Sequence, residues 1–247
     1  MERGHPSRIG AVRHPVALKP VTTQLPAAVL WDMDGTLVDT EPYWITAETD
    51  LVESYGHTWT YEDAMTLVGS GLWESAEVFR SRGVDLPADD IVQLLTGRVR
   101  DRLAKDGVPF RPGARELLKE LRALGVKTAL VTMSIRPMAE QVLSHLDFDA
   151  FDLLVTGDEV DNPKPHPEPY LTAASLLGVS ISDCVAIEDS RAGLASAVAS
   201  GAVSIAVPHA VTIPEASTHT TWPTLAGRTS TDVSAVFAAS RSEGLSR

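Results

Sequence analysis

Cysteine is nearly absent: Cys184 is the single one in 247 residues. That excludes an intramolecular disulfide and any metal cage built on thiolates. Its place in Cys184-Val185-Ala186-Ile187 reads as a small buried core side chain. Long apolar runs are missing too. None approaches the ~18 residues of a membrane-spanning helix, so no membrane partner is expected. Positive charge is scarce, with 21 Lys+Arg against 33 Asp+Glu and a formal net charge of −12. Nucleic-acid binding needs a basic surface, so that class of partner is disfavoured. An anionic small molecule stays compatible with the balance if one pocket gathers the cations. Lysine is missing altogether between Glu41 and Ala104.

What is present is globular. Apolar residues make up 44% and charged residues 22%, enough to bury a sizeable core. At roughly 150 residues per domain, this length suits one large domain or one domain plus an insert. Residues 1–26 carry Arg3, Arg8, Arg13 and Lys19 among four prolines, with no apolar stretch of the secretory kind. They read as a disordered basic tail, and the cytoplasm is the expected compartment.

Ordered sequence begins near Ala27. Ala28-Val29-Leu30-Trp31 stops abruptly at Asp32, as a buried parallel strand would. From Pro42 to about Leu103 short amphipathic helices are expected, broken at Gly56, Gly69-Ser70-Gly71 and Gly83 to Pro87. From Pro112 the texture changes to strand alternating with helix. Helices are expected over Pro112–Leu124, Pro137–Leu146 and Pro169–Leu177, and through Ser200. Strands are expected over Val126–Thr132, Phe151–Val155, Cys184–Ile187 and Val203–Val207, and a short helix near Asp232–Ala239. That alternation means a doubly wound parallel sheet, an α/β fold with an all-helical insert. The expected division is residues 27–40 and 106–247 for the α/β core and 41–105 for the insert.

Open α/β sheets bind ligands at the carboxyl ends of their strands. After the first strand stand Asp32, Asp34 and Thr36; after the second, Thr132 and Ser134. Lys164 lies in the loop after the third, and Glu188 and Asp189 follow the fourth. Clustered carboxylates repel one another, and Mg²⁺, content with two or three protein oxygens plus water, resolves that repulsion. Metal, ammonium, hydroxyl and backbone amides together cradle a phosphoryl group, and a carboxylate nucleophile can carry it covalently. The edge reads as a site for phosphoryl transfer.

Four segments carry a resemblance. They are Asp32-Met33-Asp34-Gly35-Thr36-Leu37-Val38-Asp39, Val131-Thr132, Lys164-Pro165-His166-Pro167 and Ile187-Glu188-Asp189-Ser190. In order and at strand ends, they resemble the motifs of the haloacid dehalogenase (HAD) superfamily, in the branch with a helical cap after the first strand. The resemblance covers about residues 28–208. It implies Asp32 as nucleophile and Asp34 as general acid/base. Thr132 and Lys164 would hold the phosphoryl oxygens, with Lys164 also screening Asp32. Mg²⁺ would sit on the Asp32 carboxylate, the Asp34 carbonyl and Asp189, with Glu188 nearby. His166 reads as loop surface.

The resemblance also sorts the chemistries. Dehalogenases of the family lack the second aspartate, and its phosphonate-cleaving members use a cap lysine, which is missing here. A β-phosphoglucomutase-like mutase needs a cap arginine for a second phosphate, yet Val68 to Glu74 holds no basic residue. A phosphatase acting on a small phosphorylated metabolite, commonly a sugar phosphate, is favoured. The mutase is the runner-up, and an idle binding or regulatory module is the alternative from another class. Trp59, Tyr61 and Trp73 are read first as the packing of the insert, and a monomer or weak homodimer is expected.

Overall fold

Four wholly buried residues, Ala28–Trp31, form the first strand, β1. A run with no polar face belongs inside a sheet. It pairs in parallel with β2 (Lys127–Val131) on one side and β4 (Cys184–Glu188) on the other, with Trp31 level with Leu130 and Ile187. With β3 (Leu153–Val155), β5 (Val203–Ala206) and β6 (Thr220–Thr221) the sheet is parallel throughout, in the order β3-β2-β1-β4-β5-β6. The computed structural model describes Met1, residues 24–216 and residues 218–244, so the basic tail expected over 1–26 lies almost wholly outside the described residues.

Alternation along the strands divides the interior. Val29 and Trp31 join Leu130, Val185 and Ile187 beneath α5 (Ala114–Ala123) and α9 (Ser230–Gly244). Ala28 and Leu30 join Ala129, Val131, Cys184 and Ala186 beneath α7 (Glu168–Leu177) and α8 (Arg191–Ser200). Cys184 is buried there, as its apolar neighbours imply. The remaining core helix, α6 (Arg136–Leu143), packs Met138, Ala139 and Val142 into the first cluster.

Between β1 and the rest of the core runs the helical cap: α1 (Glu41–Ser54), α2 (Tyr61–Met65), α3 (Leu72–Ser81) and α4 (Ala88–Asp106). Its apolar interior is continuous with one of the two core clusters. Phe79, Ile91, Val92 and Val99 are all but fully buried, and the Trp59 and Phe79 rings meet at 4.9 Å. Trp59 is thus core, as expected, whereas Trp73 sits near the surface and donates to Asp89 at 2.7 Å. Tyr61 is a correction: it is 58% exposed. It opens α2, whose capping box between Thr60 and Asp63 sets that end of the helix at the surface.

Three other expectations shift. The helix expected from Pro112 starts at Ala114, because Gly113 takes φ +85° to let the chain turn, and a Cβ there would lie 2.1 Å from the Leu225 carbonyl oxygen. The C-terminal helix spans Ser230–Gly244, longer than its weak pattern implied. β6 has only two residues and was not anticipated. Among the described residues, no helix is long and apolar enough to cross a membrane.

Candidate functional site

The strand order reverses between β1 and β4, and at that point the carboxyl ends of both strands meet. β1 runs on to Asp32, whose amide still bonds the Ile187 carbonyl at 3.1 Å. The chain then turns at Gly35, with φ +85°. A Cβ on Gly35 would fall 2.0 Å from Asp189 Oδ2, so only glycine lets the β1 loop approach the β4 end this closely.

Lys164 organises the centre and is 1% exposed. Its Nζ donates to Asp32 Oδ1 at 2.7 Å, to Glu188 Oε1 at 2.7 Å and to the Val131 carbonyl at 2.8 Å. An ammonium has three protons, and all three are engaged, which fixes its position. Glu188 is fully occupied as well. Its Oε1 also accepts from the Tyr170 hydroxyl at 2.6 Å, and its Oε2 from Ser190 Oγ at 3.3 Å. Asp32 Oδ2 and Asp189 Oδ2 are different: both are buried, and neither has a hydrogen-bond partner among the described residues.

Asp32, Glu188 and Asp189 bring carboxylate oxygens within 4.8 Å of one another. With Lys164 the only cation ion-paired to them among the described residues, three carboxylates leave a formal excess of two negative charges. Burial, then Glu188, push Asp32 up to about 7 despite the opposing pull of Lys164. Burial, then Asp32 and Glu188, hold Asp189 well above the usual carboxylate range. Burial would pull Lys164 down, but Asp32 and Glu188 beside it raise it above its ordinary value. A buried acidic cluster with two free oxygens and a twofold charge excess is the donor set of a hard divalent cation.

Asp34 faces the same space and is held from two sides. Its Oδ1 accepts from Thr40 Oγ1 and, at 3.2 Å, from Trp44 Nε1 on α1; its Oδ2 accepts from Ser134 Oγ at 2.7 Å and Thr132 Oγ1 at 3.3 Å. The Thr132 hydroxyl, expected on a phosphoryl oxygen, is thus directed at Asp34 and accepts from the Ser134 amide at 3.0 Å. Asp32, Asp34, Thr132, Lys164, Glu188 and Asp189 all converge. His166 is exposed in its loop, as expected.

Sequence reasoning gave no role to several partners. Ser134 stood at the right strand end, and Trp44 in the aromatic run that opens the cap, but nothing local marked either as a donor to Asp34. Tyr170 had no signal at all. Nor had Arg111, whose guanidinium donates to the Gly35 carbonyl.

Between core and cap, Asp32, Asp34, Trp44, Thr132, Ser134 and Lys164 border a cavity of about 70 Å³. Its cap side includes Glu41, Ile45, Glu48, Leu72 and Phe79. Two cap arginines are engaged elsewhere: Arg80 with Glu77 at 2.8 Å, and Arg98 with the Ala47 carbonyl at 3.0 Å. Among the described residues, Lys164 is the sole cation lining the cavity.

Comparison with known proteins agrees with this architecture. The family model for haloacid dehalogenase-like hydrolases matches residues 26–201. The chain belongs to that family. Among curated relatives, a phosphorylated carbohydrates phosphatase of Thermotoga maritima is 33% identical over 178 residues, covering 70% of this chain and 81% of that protein. Hexitol phosphatase B of Escherichia coli K12 is 32% identical over 189 residues, covering 73% and 83%. Among solved structures, a variant of CbbY from Rhodobacter sphaeroides with xylulose 1,5-bisphosphate superposes with a TM-score of 0.75 at 27% identity, covering 82% of this chain and 96% of that one. This hydrolase therefore carries its family's core and a helical cap of the same kind.

Proposed function

We propose that this HAD-family hydrolase is a Mg²⁺-dependent phosphatase that releases inorganic phosphate from a small phosphorylated metabolite, a sugar or polyol monophosphate. One observation carries the reading: Asp32, at the floor of a cavity roofed by the cap, has Oδ1 fixed by Lys164 and Oδ2 free, and Asp189, whose Oδ2 is also free, brings a carboxylate oxygen within 4.8 Å of the Asp32 carboxylate. The two relatives named for carbohydrate and hexitol phosphates support the substrate class. The cytoplasm is the compartment this reading assigns.

The residues present fit the metal. Asp32 and Asp189 offer the unpartnered oxygens, while Glu188 is occupied by Lys164, Tyr170 and Ser190 and supports from behind. When bound, Mg²⁺ supplies positive charge against the phosphoryl oxygens and relieves repulsion among the carboxylates.

Asp32 Oδ1, fixed in place by Lys164, attacks phosphorus, which leaves Oδ2 for the metal. The Asp32–phosphorus bond forms as the bond from phosphorus to the leaving oxygen breaks, and Asp34 gives its proton to that oxygen. Asp34 then takes a proton from water as the water oxygen displaces Asp32 from phosphorus. Thr132 and Ser134 below Asp34, and Thr40 and Trp44 above it, keep its carboxyl over the reacting atoms in both steps.

A mutase would hold a doubly phosphorylated intermediate, and among the described residues this cavity has no second cation to receive the distal phosphate. Phosphate release is measured from p-nitrophenyl phosphate and a hexitol phosphate, with Mg²⁺ and with chelator. Turnover that needs the metal, with Asp189→Ala raising the metal requirement more than Glu188→Ala, is expected. Full activity after chelation would remove the metal, and no turnover of any phosphomonoester would remove the phosphatase.

A further inference from the structure

Glu41, Trp44, Ile45 and Glu48 recur at helical spacing and turn one face of α1 into the cavity. Glu48 is 8% exposed. Its Oε2 accepts from Trp59 Nε1 at 3.1 Å, and Trp59 in turn packs against Phe79, so the carboxyl is pinned in place. Its Oε1 has no hydrogen-bond partner among the described residues. Burial pushes Glu48 up to about 7, with only the Trp59 bond opposing. The cavity wall includes the apolar Ile45, Leu72, Phe79 and Val92, with the Ser75 hydroxyl on the same face of α3 as Leu72 and Phe79. Glu48 Oε1 thus faces the cavity open to a donor that enters with the ligand.

We propose that Glu48 is the specificity-determining residue for the leaving group, accepting a hydrogen bond from a hydroxyl of an uncharged polyol or sugar chain and excluding phosphomonoesters whose leaving group bears a second anion. This rests on the phosphatase reading above. The apolar walls suit the C–H faces of such a chain, while Lys164 and the acidic cluster hold its phosphoryl end.

The test compares kcat/KM for three substrates: a hexitol 6-phosphate, n-hexyl phosphate of the same length without hydroxyls, and 2-phosphoglycolate, whose leaving group is a carboxylate-bearing alcohol. The wild type is expected to favour the hexitol ester over the hexyl ester by about ten- to hundredfold, as a charge-assisted hydrogen bond implies, and to favour phosphoglycolate least. Glu48→Gln keeps an oxygen for Trp59 and presents an N–H to the cavity. In it the hexitol-to-hexyl ratio should fall toward one, through KM more than kcat, and the share of phosphoglycolate should rise. A residue that only holds Trp59 would lower all three rates in parallel, and that result would overturn the proposal. So would a wild type that hydrolyses the hexyl ester as well as the hexitol ester, a comparison that stands even if the variant fails to fold. A wild type inert on all three and on p-nitrophenyl phosphate would instead bring down the phosphatase reading and this proposal with it.

Discussion

On the core side, Asp32 and Glu188 are bound to Lys164, every ammonium proton is engaged, Asp189 brings a carboxylate oxygen within 4.8 Å of theirs, and one oxygen each of Asp32 and Asp189 is left over. On the cap side, Glu41 and Glu48 face the cavity with no cation to balance them. Burial, then Asp34, Glu48 and the other acids, push Glu41 up to about 8. The core wall answers charge with charge and so holds its geometry whatever the leaving group is. The cap wall leaves its charge unanswered, and that costs stability until a ligand supplies donors. Chemistry belongs to the first wall and selection to the second.

The largest effect expected is on the core wall. Asp32→Asn keeps the shape and removes the nucleophile, so turnover should drop by at least about 10⁴-fold with an unchanged circular dichroism spectrum. Wild-type-like rates in a preparation free of wild-type enzyme would end the nucleophile assignment. Next comes Lys164→Met, which leaves three buried carboxylates with no ammonium. Urea unfolding should show a loss of roughly 3–5 kcal/mol, partly recovered by millimolar Mg²⁺ because the cation neutralises the same cluster. A loss under about 1 kcal/mol, or one indifferent to Mg²⁺, would mean the core wall does not depend on opposed charges.

The smallest effect is on the cap wall and depends on pH. Glu48 lies at about 7 in the folded chain against an ordinary 4.5. The folded state therefore binds the proton more tightly than the unfolded one, and wild-type stability declines as pH rises from about 4.5 to about 7. Glutamine at this position has no such penalty. The stability gain of Glu48→Gln should grow from near zero at pH 4.5 to roughly 1–3 kcal/mol at pH 8, read from thermal melts. A pH-independent difference would show that Glu48 is not desolvated by its apolar neighbours.

How much of this was legible in the sequence followed from how local the cause was. Ala28–Trp31 and Cys184–Glu188 are strands buried on both faces, so their apolar runs stopped where the acids begin, and the site acids could be read off those stops. The glycines and prolines of the cap marked its helix breaks because they act on their own backbone. β6 was illegible, since two threonines carry no periodicity and owe their strand state to β5 alongside. The donors to Asp34 were illegible for a related reason. Ser134 lies 100 residues from Asp34 in sequence, and nothing near Ser134 distinguishes it from any strand-end serine. Glu48 looked like one more acid on an amphipathic helix until the fold put Trp59 against one of its oxygens and nothing against the other.

The chain leaves the core for the cap just after Val38 and comes back at Phe110, and these two residues form an antiparallel bridge. The Asp39 amide bonds the Pro109 carbonyl at 2.8 Å, and the Arg111 amide bonds the Leu37 carbonyl at 2.9 Å. The excursion thus starts and finishes at one spot, and the sheet would close over the gap if it were cut out. Such a junction tolerates exchange, because an insert of another length or shape needs only two adjacent ends to be grafted on. The cap is a cassette: a lineage can trade one roof for another and acquire a new substrate in a single event, while Asp32, Lys164 and Asp189 stay where they are.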